Sequence, residues 1–251
     1  MKKIILFLIP LAGLLILFGF IPEKKGATLF LAGDSTMADK PYRNGNPEKG
    51  WGQVIPLYFT AAVRVENHAV NGRSTKSFID EGRWDSLMSR VQAGDYVIIE
   101  FGHNDEKGQD PKRYAPAETD YSNNLRRFIR DVKGKNATPI LATPIVRRRF
   151  DEDGQFYDTH GAYPEAVRKV AQETTVALLD LHHLSWLLVE RYGMEKSKEL
   201  FLHIDTIEYE YLTNPIVDDT HLSAYGAFRI CDLVASELRA QVPALAVWLK
   251  K

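Results

Sequence analysis

Residues 28–37 read TLFLAGDSTM, and this stretch decides the fold. Thr28–Ala32 is a short, mostly apolar run without polar alternation, the pattern of a strand buried on both faces. Gly33-Asp34-Ser35 ends it abruptly, and glycine permits the sharp turn required there. The same arrangement recurs along the chain. Val63–Glu66 is followed by Asn67–Gly72, Tyr96–Phe101 by Gly102-His103-Asn104-Asp105, and Pro139–Thr143 by Pro144. Val176–Leu181 is a fifth run. Between the strands the spacing predicts helices over Trp51–Phe59, Arg83–Val91, Asp120–Val132, Pro164–Glu173, Leu184–Tyr192 and Ala224–Leu238. Leu125, Phe128, Ile129 and Val132 share one helical face, Pro164 suits a first turn, and Ser223 is a candidate N-cap.

Strand and helix thus alternate about five times. This predicts a single α/β domain, doubly wound, flavodoxin-like and three-layered, with a parallel sheet of about five strands. In such sheets the site lies beyond the carboxyl ends of the strands. The polar clusters here follow the first three. Phe201–Asp219 reads as a long irregular segment, and long ordered loops are often functional. Tyr209 and Tyr211 within it are candidates to line a cleft.

With 32 basic and 33 acidic side chains, the chain shows no basic excess that would point to nucleic acid. The clearest compositional break is N-terminal. Lys2 and Lys3 precede an apolar run from Ile4 to Ile21, and Glu23, Lys24 and Lys25 return the chain to water. Residues 1–27 therefore read as an export signal or a retained membrane anchor, and residues 28–251 as the domain. The small pair Gly26-Ala27 follows two lysines and makes a poor cleavage site. Either way the charge distribution favours an exported domain, touching the membrane only through an uncleaved N-terminus. The single Cys231 can form no internal disulfide and reads as a buried small hydrophobe. A monomer is expected.

Ser35 would sit at the sheet edge, facing the crevice. A serine hydroxyl is a weak nucleophile and needs a base beside it; equally, Asp34 or Ser35 could cap a helix. Asp218-Asp219-Thr220-His221 supplies a histidine with a carboxylate three residues away, which can fix the imidazole tautomer; a surface turn is the plain alternative. Acyl transfer also needs donors for an oxyanion. The backbone N–H of Gly72 and the side-chain amide of Asn104 are candidates, although Gly and Asn are ordinary turn residues.

In combination, Gly33-Asp34-Ser35, Gly72, Gly102-x-Asn104-Asp105 and Asp218-x-x-His221 resemble the four sequence blocks of SGNH (GDSL-type) hydrolases. The resemblance implies Ser35 as nucleophile, Asp218 and His221 as its partners, and the Ser35 amide, Gly72 and Asn104 as oxyanion donors. Gly33–Met37, Gly50-Trp51-Gly52, Asn67-x-Ala69-x-x-Gly72-Arg73-Ser74, Ser77-Phe78 and His160-Gly161-Ala162-Tyr163 further resemble the rhamnogalacturonan acetylesterase branch. That implies removal of acetyl groups from pectin-type polysaccharide or oligosaccharide without a cofactor. An ester of another glycan or of a lipid is the alternative substrate, and a non-catalytic glycan-binding domain a more distant one.

Arg73 and the run Arg147, Arg148 and Arg149 are candidates to meet uronate carboxylates, since guanidinium matches their geometry. A solvated basic turn is the alternative for the run. Trp51 could stack on sugar or belong to the core. His103 and Asp105 are expected to support Asn104. His182-His183 and His203-x-Asp205 do not form a structural zinc pattern, and no metal is expected. A histidine base predicts activity rising with pH through a limb near about 6.5.

Overall fold

The computed structural model describes residues 26–207, 209 and 212–251. The apolar N-terminal segment up to Lys25, and Tyr211, lie outside the described residues. Five parallel strands, β1 (Ala27–Gly33), β2 (Val63–Asn67), β3 (Tyr96–Glu100), β4 (Thr138–Ala142) and β5 (Ala177–Leu179), stand in the order β2-β1-β3-β4-β5. The doubly wound sheet read from the sequence is therefore present.

Side chains leave each strand alternately, so residues two apart enter one layer. Leu29, Leu31, Ile98 and Ile140 pack with α1 (Trp51–Val54), α6 (Leu181–Lys196), α7 (Ala224–Gln241) and α8 (Pro243–Ala246). Phe30, Ala32, Val97, Ile99 and Leu141 face α2 (Thr75–Asp80), α3 (Arg83–Met88), α4 (Ser122–Gly134) and α5 (Tyr163–Thr174). Leu125, Phe128, Ile129 and Val132 are the buried stripe of α4, as their spacing requires. Ser223 caps α7 by accepting from the Gly226 N–H at 3.0 Å.

Three readings need correction. The helix expected over Trp51–Phe59 stops at Val54 and tightens into a 3-10 turn, Ile55–Tyr58. Pro56 lacks the N–H that would continue the α-helical ladder to Gly52. Helix α2 is additional; Ser74 and Ser77 cap it reciprocally. The segment read as irregular, Phe201–Asp219, contains β6 (Phe201–Ile204) and most of β7 (Ile216–Leu222), paired antiparallel. The residues of β7 are mostly half-buried and polar, so the strand lacks the apolar alternation that marks one.

Register positions the site. Gly33 pairs beside Glu100, Glu100 beside Ala142, and Leu31 beside Asn67. The carboxyl ends of β1 to β4 therefore open on one edge, with β1 and β3 adjacent at the switch point. Strand β7 reaches the same edge from its own small sheet. It is held there by the Lys49 N–H donating to the Leu222 carbonyl (3.1 Å) and the Arg148 N–H to the Asp219 carbonyl (2.8 Å).

Helix α7 closely approaches Leu200, at the end of the turn that leads into β6. A Cβ on Gly226 would lie 1.8 Å from the Leu200 carbonyl oxygen, closer than any non-bonded contact. Gly226→Ala should therefore destabilise the domain by about 1–3 kcal/mol, the usual cost of overpacking. Urea unfolding would show it as a lower midpoint at unchanged slope; an unchanged midpoint would contradict this packing.

Candidate active site

Ser35 follows the end of β1 by two residues, where the chain turns: the Ala38 N–H donates to the Asp34 carbonyl at 3.0 Å. The turn is packed tightly, since a Cβ on Gly33 would come within 2.8 Å of the Glu100 carbonyl oxygen. Asp34 is buried and accepts both the N–H and the hydroxyl of Thr36, each at 2.9 Å. These bonds fix the turn that presents Ser35.

His221 comes from β7, 186 residues later, with Nε2 2.9 Å from Ser35 Oγ. Its Nδ1 lies 2.7 Å from Asp218 Oδ2. Asp218 Oδ1 also accepts the N–H groups of Thr220 (2.8 Å) and His221 (3.0 Å). Half-burial raises the Asp218 pKa, but the bonds to His221 and these N–H groups outweigh it and hold the carboxyl far below its ordinary range. An ionised carboxylate only accepts, so Nδ1 carries the proton and Nε2 offers its lone pair to the Ser35 hydroxyl. The hydrogen bond to Asp218 raises the pKa of His221, against its partial burial; the Asp218 charge and, further off, Glu48 add to the rise, and Lys40 opposes it.

Gly72 and Asn104 lie in the loops after β2 and β3, whose strands neighbour β1 on either side. Gly72 has φ +75°, a left-handed conformation natural to glycine. The Asn104 Nδ2 donates to the Arg73 carbonyl at 3.1 Å, which fixes the amide and leaves its second N–H as a candidate oxyanion donor. Asn104 Oδ1 accepts from Lys107 Nζ (3.0 Å) and Arg113 (3.2 Å). These cations, not His103 and Asp105, orient Asn104. Asp105 instead accepts the Thr75 N–H at 2.9 Å and so anchors the start of α2. Buried Lys40, unremarked in the sequence, joins Glu48 (2.6 Å) to Asn71 (2.7 Å), the residue before Gly72. Glu48 in turn bridges Ser223, so one ammonium ties the Gly72 loop to the strand of His221.

Beneath the site lie two further buried groups. Glu100 accepts the Trp51 indole N–H at 2.7 Å. Burial, reinforced by the nearby Asp34 charge, pushes its carboxyl up to about 8. Burial likewise pushes His103 down to about 4, so its ring is neutral at pH 7.

The other expected contacts are placed differently. Trp51 is fully buried against Glu100 and cannot stack on sugar. The Arg73 guanidinium is engaged by Glu81 (3.0 Å) and the Asn71 carbonyl (2.8 Å). The Arg147–Arg149 run is not a solvated turn. Arg147 pairs with Glu106 and Thr159, buried Arg148 with Asp219 and Ser197, and Arg149 with Asp219. His182 and His203 bond Asp158 and Asp219. Among the described residues no group of three His, Cys, Asp or Glu is arranged to hold a metal ion.

A doubly wound parallel sheet that sets a serine, a histidine and an aspartate in hydrogen-bonded series is the framework of an α/β serine hydrolase. The chain belongs to the GDSL-like Lipase/Acylhydrolase family, whose sequence profile matches residues 31–227, and it is an ester hydrolase. It is 41% identical to the rhamnogalacturonan acetylesterase RhgT of Bacillus subtilis (strain 168), over 84% of this chain and 89% of that protein. It is 31% identical to the probable rhamnogalacturonan acetylesterase YesY of the same organism, over 84% and 92%. Among solved structures, the Bacillus subtilis protein YxiM matches with a TM-score of 0.69 at 26% identity, over 86% of this chain; the chain spans 56% of YxiM. A catalytic mutant of the Geobacillus stearothermophilus acetylxylan esterase Axe2 shares the fold, with a TM-score of 0.59 at 18% identity over 85% of this chain and 94% of that one.

The pairing with Asp218 has a direct spectroscopic consequence. His221 should titrate above the ordinary histidine value of about 6.5, and Asp218→Asn should move it downward. Ring-proton NMR on both proteins checks this; a His221 titration unmoved by the substitution would contradict the pairing.

Proposed function

We propose that this protein is a serine acetylesterase that removes acetyl groups from rhamnogalacturonan-type pectic polysaccharide through an acetyl-enzyme. The observation that carries the reading is the 2.9 Å contact between Ser35 Oγ and His221 Nε2, with Asp218 behind the ring. The 41% identity to RhgT supports the substrate class. The Axe2 likeness bears on fold alone.

Ser35 Oγ attacks the acetyl carbonyl carbon while His221 Nε2 takes its proton. The ionised Asp218 stabilises the imidazolium formed. The oxyanion rests on the Ser35 and Gly72 amides and the Asn104 Nδ2, and one such donor contributes about 3 kcal/mol of transition-state stabilisation. The bond to the sugar oxygen then breaks, and that oxygen takes the proton from His221. Water, deprotonated by His221, attacks the acetyl group, and Ser35 departs with the proton. A cell-wall polymer stays outside the membrane, so the same reading places the domain outside the cell membrane, consistent with the Lys2–Ile21 pattern.

Acetate release from acetylated rhamnogalacturonan, acetylated xylan and a small aryl acetate tests the reading. Release from the pectic polymer is expected. It should fall about 10⁵–10⁶-fold in Ser35→Ala and about 10⁴-fold in Asp218→Asn. The acid limb of kcat/KM should lie above about 6.5, because neutral His221 is the base and its pKa is raised. Aryl acetate cleavage without pectic release would move the substrate to another ester. No serine-dependent release from any of the three would sink the esterase mechanism.

A further inference from the structure

Asn104 has an unusual pair of neighbours. Its Oδ1 accepts from both the Lys107 ammonium, at 3.0 Å, and the Arg113 guanidinium, at 3.2 Å. The same Arg113 nitrogen is the nearest atom, at 3.8 Å, to where a side chain on Gly72 would begin. Arg113 therefore stands against both candidate oxyanion loops, and Lys107 joins it at Asn104. Both can be reached from solvent: Lys107 is exposed, and the Arg113 side chain is 31% exposed.

Negative charge nearby is already committed. Arg113 pairs with Asp110 through Nε at 2.6 Å, and Glu106 is held by Arg147 and His160. Among the described residues Lys107 makes no ion pair with a carboxylate; its resolved partner is the neutral Asn104 amide. Partial burial lowers the Lys107 pKa, and the like charges of Arg113 and Arg147 lower it further, against weaker help from Asp34 and Glu106. Crowding cations around one neutral oxygen costs electrostatic energy that an incoming anion relieves. A carboxylate is suited to this place, since it accepts from a guanidinium and an ammonium at once.

We propose that Lys107 and Arg113 form an anion-reading rim beside the oxyanion donors, which takes a uronate carboxylate of the glycan whose acetyl group lies at Ser35. This deepens the functional reading above and rests on it. The rim makes the acidic character of the polymer, not only its acetyl group, part of what is recognised. A neutral glycan would leave Lys107 without a carboxylate and Arg113 with Asp110 alone.

The test compares two forms of one polymer, acetylated rhamnogalacturonan and the same material with its uronate carboxyls methyl-esterified. The kcat/KM for acetate release is measured at low and high NaCl for the wild-type protein, Lys107→Gln, Arg113→Gln and Lys107→Arg. The wild-type protein should prefer the charged form by about tenfold, as expected for loss of a charge-assisted hydrogen bond. Salt should erode this preference, because these charges are partly exposed. Each glutamine variant should reduce the preference ratio, and Lys107→Arg should retain it. Both residues also hold Asn104, so the ratio is decisive rather than the rate. An equal fall on both forms would mean amide positioning only and would overturn the rim. Equal wild-type activity on both forms would overturn it as well. No wild-type release from either form would overturn the pectic reading itself, and the rim with it.

Discussion

Arg148 reaches three acceptors on two separate stretches of chain: Ser197 Oγ at 3.0 Å and the Met194 carbonyl at the end of α6, and Asp219 Oδ1 at 2.8 Å on β7. It is buried, and it leaves the loop that follows β4 in the main sheet. Asp219 lies in β7, beside Asp218 and two residues before His221. β7 pairs with β6 and lies outside the five-stranded sheet, so nothing in that sheet's own hydrogen bonding fixes the imidazole relative to Ser35. The guanidinium adds a buried side-chain constraint to the backbone bonds from Lys49 and Arg148 that hold β7. Breaking a buried ion pair by removing one partner typically costs about 3–5 kcal/mol, because a charge is left uncompensated. His203 and Arg149 close on the same Asp219 carboxylate, so the strut is a small network rather than one bond.

A second constraint works from the opposite side. Lys40 ties Asn71 to Glu48, and Glu48 lies against Ser223 at the end of β7. The loops that present Ser35, Gly72 and His221 are therefore cross-linked by buried charge, not by apolar packing alone. Buried charges are costly unless well partnered, and both Lys40 and Arg148 are. The site is thus stiffened where its groups meet, while its solvent side carries the less fully paired cations Lys107 and Arg113.

What the sequence revealed follows the same division. β1, β3 and β4 announce themselves because burial on both faces demands continuous apolar runs, and the polar clusters stand out where those runs stop. Ser35, Asp218 and His221 were legible as a pattern, and the fold brings them into hydrogen-bonding distance. β7 was not legible as a strand, since Asp218, Asp219, Thr220 and His221 put four polar residues in a row and leave no apolar alternation. Trp51 was left between sugar and core, and Arg148 between a ligand and solvent, because an indole and a guanidinium look alike in sequence whether they meet a ligand or a buried carboxylate. Here each meets a carboxylate, Glu100 and Asp219. Lys107 and Arg113 carry no periodic signal. Only the distance to Asn104 singles them out.

The separation of Ser35 from His221 has a consequence for how the molecule is made. The sheet that holds the serine is finished with β5 at Leu179, while the histidine arrives on a strand near the carboxyl end. All five parallel strands precede the imidazole in the chain, so the hydroxyl is made long before the group that faces it. On the proposed mechanism, a product that ends before the seventh strand lacks the base, however well its sheet is built.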